Sequence, residues 1–167
     1  CLDVCAQARG EFPDVPILMM GYYNPVLIYG IERFAQDGSR AGLDGMIVAD
    51  LPPEEAEPLR AACDAKGIDL VFLLAPTSSD ERLQRVCDAS SSLIYCVSLT
   101  GVTGARKELT GGLAEVVERI RRHTELPILV GFGISRREHV EAVGQLAEGA
   151  VVASALLDAI DKAPREQ

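Results

Sequence analysis

Tyr95-Cys96-Val97-Ser98-Leu99-Thr100-Gly101-Val102-Thr103-Gly104 is a short apolar run that passes straight into a Gly/Thr loop. Two later stretches end in the same style, Val130-Gly131-Phe132-Gly133-Ile134-Ser135 and Val151-Val152-Ala153-Ser154-Ala155. Each reads as a buried strand whose C-terminal end offers small residues and uncovered backbone N–H groups. Three such ends suggest a phosphate cradle at the C-terminal face of a parallel sheet, the face on which α/β barrels carry their active sites.

Outward from these loops, β-rich runs alternate with amphipathic stretches. The runs are Pro16–Tyr22, Gly45–Ala49, Leu70–Ala75, Leu93–Ser98, Pro127–Gly131 and Ala150–Ala153. They are apolar on both faces, the mark of strands covered on both sides. Between them the pattern predicts helices over Val26–Ala41, Glu54–Lys66, Asp80–Ala89, Gly112–His123 and Arg136–Leu146. In the fourth, Val116, Val117 and Ile120 form a core-facing stripe, with Glu115, Glu118, Arg119 and Arg122 on the wet side. Pro52-Pro53-Glu54-Glu55 puts proline and acid in a first helical turn. Ser79 is an N-cap candidate, and Ser135 with Glu138 is a candidate capping box. Gly42 and Gly67 follow helices where a left-handed residue is expected.

Six βα units recur at intervals of about 25–30 residues. An open doubly wound sheet would usually carry its Gly-rich loop after the first strand. Here the first strand ends in Gly21-Tyr22-Tyr23-Asn24-Pro25 and the glycine-rich loops come late. That order favours a (β/α)8 barrel lacking its first two units, with residues 1–167 as one partial barrel domain. Cys1–Arg9 reads as the middle or end of a helix, so the expectation is a piece of a longer protein. Six of eight units would leave two open strand edges and marginal stability.

Nearly half of the 167 residues are apolar, enough for a sizeable core, and no apolar run reaches the length of a membrane span. The formal net charge of −9 argues against nucleic acid and anionic membrane as partners. It leaves a small phosphorylated ligand open, because backbone N–H groups bind phosphate without net positive charge. The five cysteines, Cys1, Cys5, Cys63, Cys87 and Cys96, are scattered, odd in number and without a CxxC pair. This pattern fits a reduced, cytoplasmic compartment, and no metal site is expected. His123 and His139 read as structural or solvated, and no Ser/His/Asp or Cys/His arrangement stands out.

Five motifs in order give the chain a close resemblance to the α subunit of tryptophan synthase. They are Leu18-Met19-Met20-Gly21-Tyr22-Tyr23-Asn24-Pro25, Val48-Ala49-Asp50-Leu51-Pro52-Pro53-Glu54-Glu55, Leu74-Ala75-Pro76-Thr77, Tyr95 through Gly104, and Gly131-Phe132-Gly133-Ile134-Ser135. The resemblance implies a (β/α)8 barrel of which these are strands 3 to 8. It implies a lyase of tryptophan biosynthesis that cleaves indole-3-glycerol phosphate to indole and glyceraldehyde 3-phosphate. The implied partner is a β subunit that carries pyridoxal phosphate, in an α2β2 assembly, and the chain itself would hold no cofactor. The family's two acting carboxylates, a Glu and an Asp, would lie before Cys1.

The resemblance also assigns residues. Phosphate would be held by the N–H groups of Gly104, Gly133, Ala153 and Ser154, with the Ser154 hydroxyl helping. The family usually has Gly-Ser where this chain has Ala153-Ser154, and alanine disfavours a positive φ. Tyr95 and Thr103 match positions that support the catalytic carboxylates; a structural tyrosine at a strand end is the other reading of Tyr95. Met20, Tyr22, Ala49, Leu73, Gly131 and Phe132 would line an apolar slot for the indole ring. Asn24, Asp50 and Pro52 would face the β subunit. Asp50 has a second reading, as a strand-end carboxylate that caps the next helix. Two other functions are weighed: another phosphate-binding barrel enzyme, and a shortened, non-catalytic chain that docks on the β subunit.

Overall fold

The computed structural model describes residues 1–97, 106–131 and 133–163, with the backbone alone for 106–111. The chain divides into two compact units, Cys1–Leu73 with Asp88–Ser92, and Leu74–Cys87 with Leu93–Gln167.

The first unit contains α1 (Leu2–Glu11), β1 (Leu18–Gly21), α2 (Tyr23–Tyr29), α3 (Ile31–Arg40), β2 (Gly45–Val48), a 3₁₀ turn (Pro53–Glu55), α4 (Glu57–Asp64) and β3 (Asp69–Val71). Its sheet has the order β1-β2-β3, all parallel, in the register Leu18↔Gly45 and Gly45↔Asp69. Leu59, Cys63, Ile68, Leu70 and Val71 are buried between this sheet and its helices. β1 departs from the two-sided burial expected of it, since Leu18 and Met20 are exposed. The strand has one neighbour in the sheet, β2.

The helix predicted over 26–41 is two helices. Gly30 lies between α2 and α3 at φ +96°, ψ 123°, a conformation that ends one helix and redirects the chain into the next. Gly42 and Gly67 take positive φ as expected.

The second unit contains β4 (Leu73–Leu74), whose second residue it owns, α5 (Asp80–Ala89), β5 (Ile94–Val97), α6 (Arg106–Arg121), β6 (Ile128–Gly131), α7 (Arg137–Gly144), β7 (Gly149–Val151) and α8 (Ser154–Lys162). Its sheet has the order β4-β5-β6-β7, and β5, β6 and β7 run parallel with Ile94↔Ile128 and Leu129↔Gly149. Ile94, Cys96, Ile128 and Val130 are buried; of the stripe expected on α6, Val117 and Ile120 are buried and Val116 is half-buried. The single strand expected over 70–75 is therefore two, β3 and β4, with the buried Phe72 between them.

Arg119 is partly exposed but does more than face water. Its guanidinium donates to the Ser78 and Pro76 carbonyls at 2.8 and 3.3 Å and to Asp80 at 2.7 Å, tying α6 to the start of α5. Ser79 caps α5, its hydroxyl accepting the Arg82 N–H at 3.3 Å. The capping box of Ser135 and Glu138 does not form. α7 starts one residue later, with Arg136 as its N-cap, and the Ser135 N–H points instead to His139 Nδ1 at 3.4 Å.

Each unit is clamped at the N-terminal end of its strands by the same device. In the first, Asp44 accepts the Ile17 N–H at 2.7 Å and pairs with Arg9, which also donates to the carbonyls of Pro13, Val15 and Gly42. In the second, Glu148 accepts the Ile128 N–H at 2.8 Å and pairs with Arg121, which donates to the Leu126 carbonyl at 2.7 Å. The carboxylate precedes a glycine that abuts a leucine of the neighbouring strand, Gly45 on Leu18 and Gly149 on Leu129. The sequence repeats accordingly: Pro16-Ile17-Leu18 with Asp44-Gly45, and Pro127-Ile128-Leu129 with Glu148-Gly149.

Candidate active site at the strand ends

In the second unit, β5 carries Tyr95 half-buried beside β6. A Cβ placed on Gly131 would lie 2.6 and 2.9 Å from Cε2 and Cζ of the Tyr95 ring and would also strike its hydroxyl. The ring therefore crosses the β6 backbone where Gly131 leaves room for it, at the C-terminal end of the strand. Burial pushes the Tyr95 phenol up from its ordinary value, so the hydroxyl remains protonated and can donate at neutral pH.

Gly133 follows at φ +68° and is exposed. Beyond β7, Ala153 is the N-cap of α8 at φ −119°, ψ −76°, and Ser154 is the first residue of that helix. Both are exposed. The φ of Ala153 is negative, so the backbone at this position does not require glycine's left-handed freedom. The N–H groups that open a helix lack acceptors within it. At α8 those of Ser154 and Ala155 begin the helix, while those of Leu156 and Leu157 turn back to the Ala153 carbonyl at 3.0 and 3.1 Å. A helix start carrying a serine is a chemically suitable place for an anion. Phe132, Thr103 and Gly104 lie outside the described residues.

In the first unit, the ends of β1 and β2 bring together Tyr22, Asn24, Ala49 and Asp50, all exposed, with Pro52 half-buried. Met20 is more than half exposed and Leu73 is half-buried. Asp50 does not cap the helix that follows it. Its Oδ1 accepts the Tyr23 N–H at 2.8 Å, so it caps α2, the helix after the neighbouring strand. Sequence reasoning missed this tie, which depends on the lateral register of β1 and β2.

The two histidines make local contacts. His123 Nδ1 lies 2.8 Å from Gln84 Oε1, linking α6 to α5, and His139 faces the Ser135 N–H. Cys5, Cys63, Cys87 and Cys96 are buried free thiols and Cys1 is exposed. Burial pushes Cys63 and Cys96 up to about 11, far from the thiolate that metal binding or nucleophilic attack requires. Among the described residues no group of three or more His, Cys, Asp or Glu stands close enough to hold a metal. No helix among them is long and apolar enough to cross a membrane.

A family model for the tryptophan synthase alpha chain matches residues 1–167. The tryptophan synthase alpha chain of Roseiflexus sp. (strain RS-1) is 54% identical over 164 residues, covering 98% of this chain and 63% of that relative. The tryptophan synthase of Saccharomyces cerevisiae is 44% identical over 98% of this chain, which spans 23% of the longer yeast protein. Among solved structures, the Pyrococcus furiosus tryptophan synthase α2β2 complex has a chain with TM-score 0.86 at 36% identity, covering 96% of this chain and 65% of that one. The chain thus spans a little under two thirds of the Roseiflexus relative, and its parallel strands and flanking helices are those of this family's barrel. This chain belongs to the tryptophan synthase alpha chain family.

Proposed function

We propose that the chain is the larger part of a tryptophan synthase α subunit, a cytoplasmic lyase that splits indole-3-glycerol phosphate into indole and glyceraldehyde 3-phosphate. Residues 1–167 would form most of a single barrel domain. The observation that carries the reading is the family match along all 167 residues. The strand-end chemistry is consistent with it.

The reaction is a retro-aldol cleavage. Indole C3 gains a proton, the C3′ hydroxyl of the glycerol chain loses one, and the bond between C3 and the side chain breaks. The substrate phosphate would lie at Gly133, Ala153 and Ser154, received by N–H groups at the start of α8 and by the Ser154 hydroxyl, with Gly104 completing the cradle. By the family resemblance, Met20, Tyr22, Ala49, Leu73, Gly131 and Phe132 are the residues assigned to the indole ring. Tyr95 would present its neutral hydroxyl to the catalytic carboxylates, and Thr103 would help hold them. The resemblance would place those carboxylates in the part of the family's length that this chain does not span. Accordingly the 167-residue chain alone is expected to show negligible turnover.

Asn24, Asp50 and Pro52 would face a β subunit, the partner that carries pyridoxal phosphate. The P. furiosus relative is described in an α2β2 complex with mutual activation. A different barrel enzyme is not favoured, because the family match leaves no stretch of the chain unassigned.

The test is a chimera. The residues of the Roseiflexus relative that precede the matched region are joined to Cys1, and indole release from indole-3-glycerol phosphate is followed. The chimera should turn over, and Ser154→Asp, which sets a carboxylate where the phosphate lies, should raise KM by more than tenfold. A folded chimera that releases no indole overturns the reading.

A further inference from the structure

The hydrogen bond from the Tyr23 N–H to Asp50 joins the start of α2 to the turn after β2, two places that the proposed function assigns to the partner face. Asp50 follows β2, whereas Tyr23 opens α2 after β1. The two strands run side by side up to Gly21↔Val48, and the Ala49 N–H adds one more bond to the Gly21 carbonyl at 3.0 Å. Beyond that point the tie between the two segments is made by the Asp50 side chain.

The clamped repeat shows why a carboxylate stands there. Counted from Leu18 and Leu129, Tyr23 corresponds to Ile134. Counted from Gly45 and Gly149, Asp50 corresponds to Ser154. In the second unit this place carries a short hydroxyl beside the proposed phosphate position. In the first, the chain supplies its own anion, and the N–H at the start of α2 is already occupied.

We propose that Asp50 is a positioning residue: its carboxylate fixes the N-terminal turn of α2 at Tyr23, so that Asn24 is presented to the β subunit in one conformation. Asp50 therefore acts on docking through Tyr23 rather than through a contact of its own. The inference rests on the partner reading above. Tyr22, the N-cap of α2, belongs to the proposed indole slot, so the lock also ties ring binding to partner docking.

The experiment uses the 167-residue chain with Asp50→Ala, Asp50→Asn, Asn24→Ala and the double variant Asp50→Ala/Asn24→Ala. Amide spectra report the start of α2, and titration with the P. furiosus tryptophan synthase β subunit reports docking. Asp50→Ala should move the Tyr23 and Asn24 amide resonances and weaken β-subunit binding by about tenfold, the order expected for losing one hydrogen bond to a charged group. Asp50→Asn, which keeps an acceptor oxygen and the side-chain shape, should recover most of the affinity. The double variant should bind no more weakly than the weaker single variant. Additive losses mean that Asp50 touches the partner directly and overturn the inference, as do unmoved Tyr23 and Asn24 amides. If the wild type binds and the Asp50 variants bind equally well, the inference alone fails. If the wild type does not bind the β subunit, the partner reading fails and the inference with it.

Discussion

Replacing Gly131 by alanine is the sharpest perturbation the second unit offers. The added methyl would lie 2.6 Å from Tyr95 Cε2 and 2.9 Å from Cζ, well inside ordinary carbon–carbon contact. Gly131 is buried in β6, whose pairing with Val97 and Val151 fixes its backbone, so the ring is what must move. Overpacking of this kind costs about 1–3 kcal/mol. Tyr95→Ala carries its own loss, because a half-buried ring is removed. In that background, however, the alanine at 131 has nothing to strike, and its cost should fall to a few tenths of a kcal/mol. The coupling between the two sites is therefore expected at about 1–2 kcal/mol, in the range found for residues in direct contact. The assay is urea unfolding of the four chains of the cycle, followed by far-UV circular dichroism, since the chain has no tryptophan. A Gly131→Ala penalty of equal size with and without the Tyr95 ring would refute the packing argument.

Three further outcomes are expected. In the native chain one thiol, Cys1, should react rapidly with a thiol reagent, and all five should react in denaturant, because the other four are buried; rapid labelling of Cys63 or Cys96 would contradict the burial. Glu148 is held below the usual carboxylate value first by the Ile128 N–H and then by Arg121, so its contribution is complete above the ordinary glutamate pKa and is lost as pH falls through the lowered one. Glu148→Gln should accordingly flatten the acid limb of the stability–pH curve, and an unchanged slope would count against the clamp. Gly30→Ala should destabilise by about 1–3 kcal/mol through backbone strain alone, whereas Gly10→Ala, inside α1 with open space around it, should stabilise by about 0.5–1 kcal/mol; thermal unfolding of both variants reads the two signs.

The strands and their parallel class were legible because apolar runs bounded by Gly, Pro and Asp are local signals. So was most of the core stripe of α6, where Val117 and Ile120 are buried and Val116 is half-buried. Boundaries inside apolar or helical runs were not. Gly30 divides a helix through a dihedral choice that composition does not reveal, and Phe72 divides an apolar run that reads as continuous. The long-range ties were invisible for another reason. Arg9 with Asp44, Arg121 with Glu148, and Asp50 with the Tyr23 N–H join residues through strand register, and register is not written in periodicity. One signal was present and passed over: Pro-Ile-Leu at 16 and 127, each followed by an acid–glycine pair, marks the two clamps in the sequence itself. At the strand ends, the helix that opens at Ser154 was not among the helices read from the sequence, and the negative φ of Ala153 was not legible because it depends on how β7 enters α8.

The placement of the substrate phosphate at the start of α8 is the central claim, and an amide-shift titration of the 167-residue chain with glycerol 3-phosphate tests it most directly. The account predicts saturable shifts at Gly133, Ser154 and Ala155, abolished by Ser154→Asp. Shifts confined to other residues, or identical shifts in the Ser154→Asp variant, would contradict it.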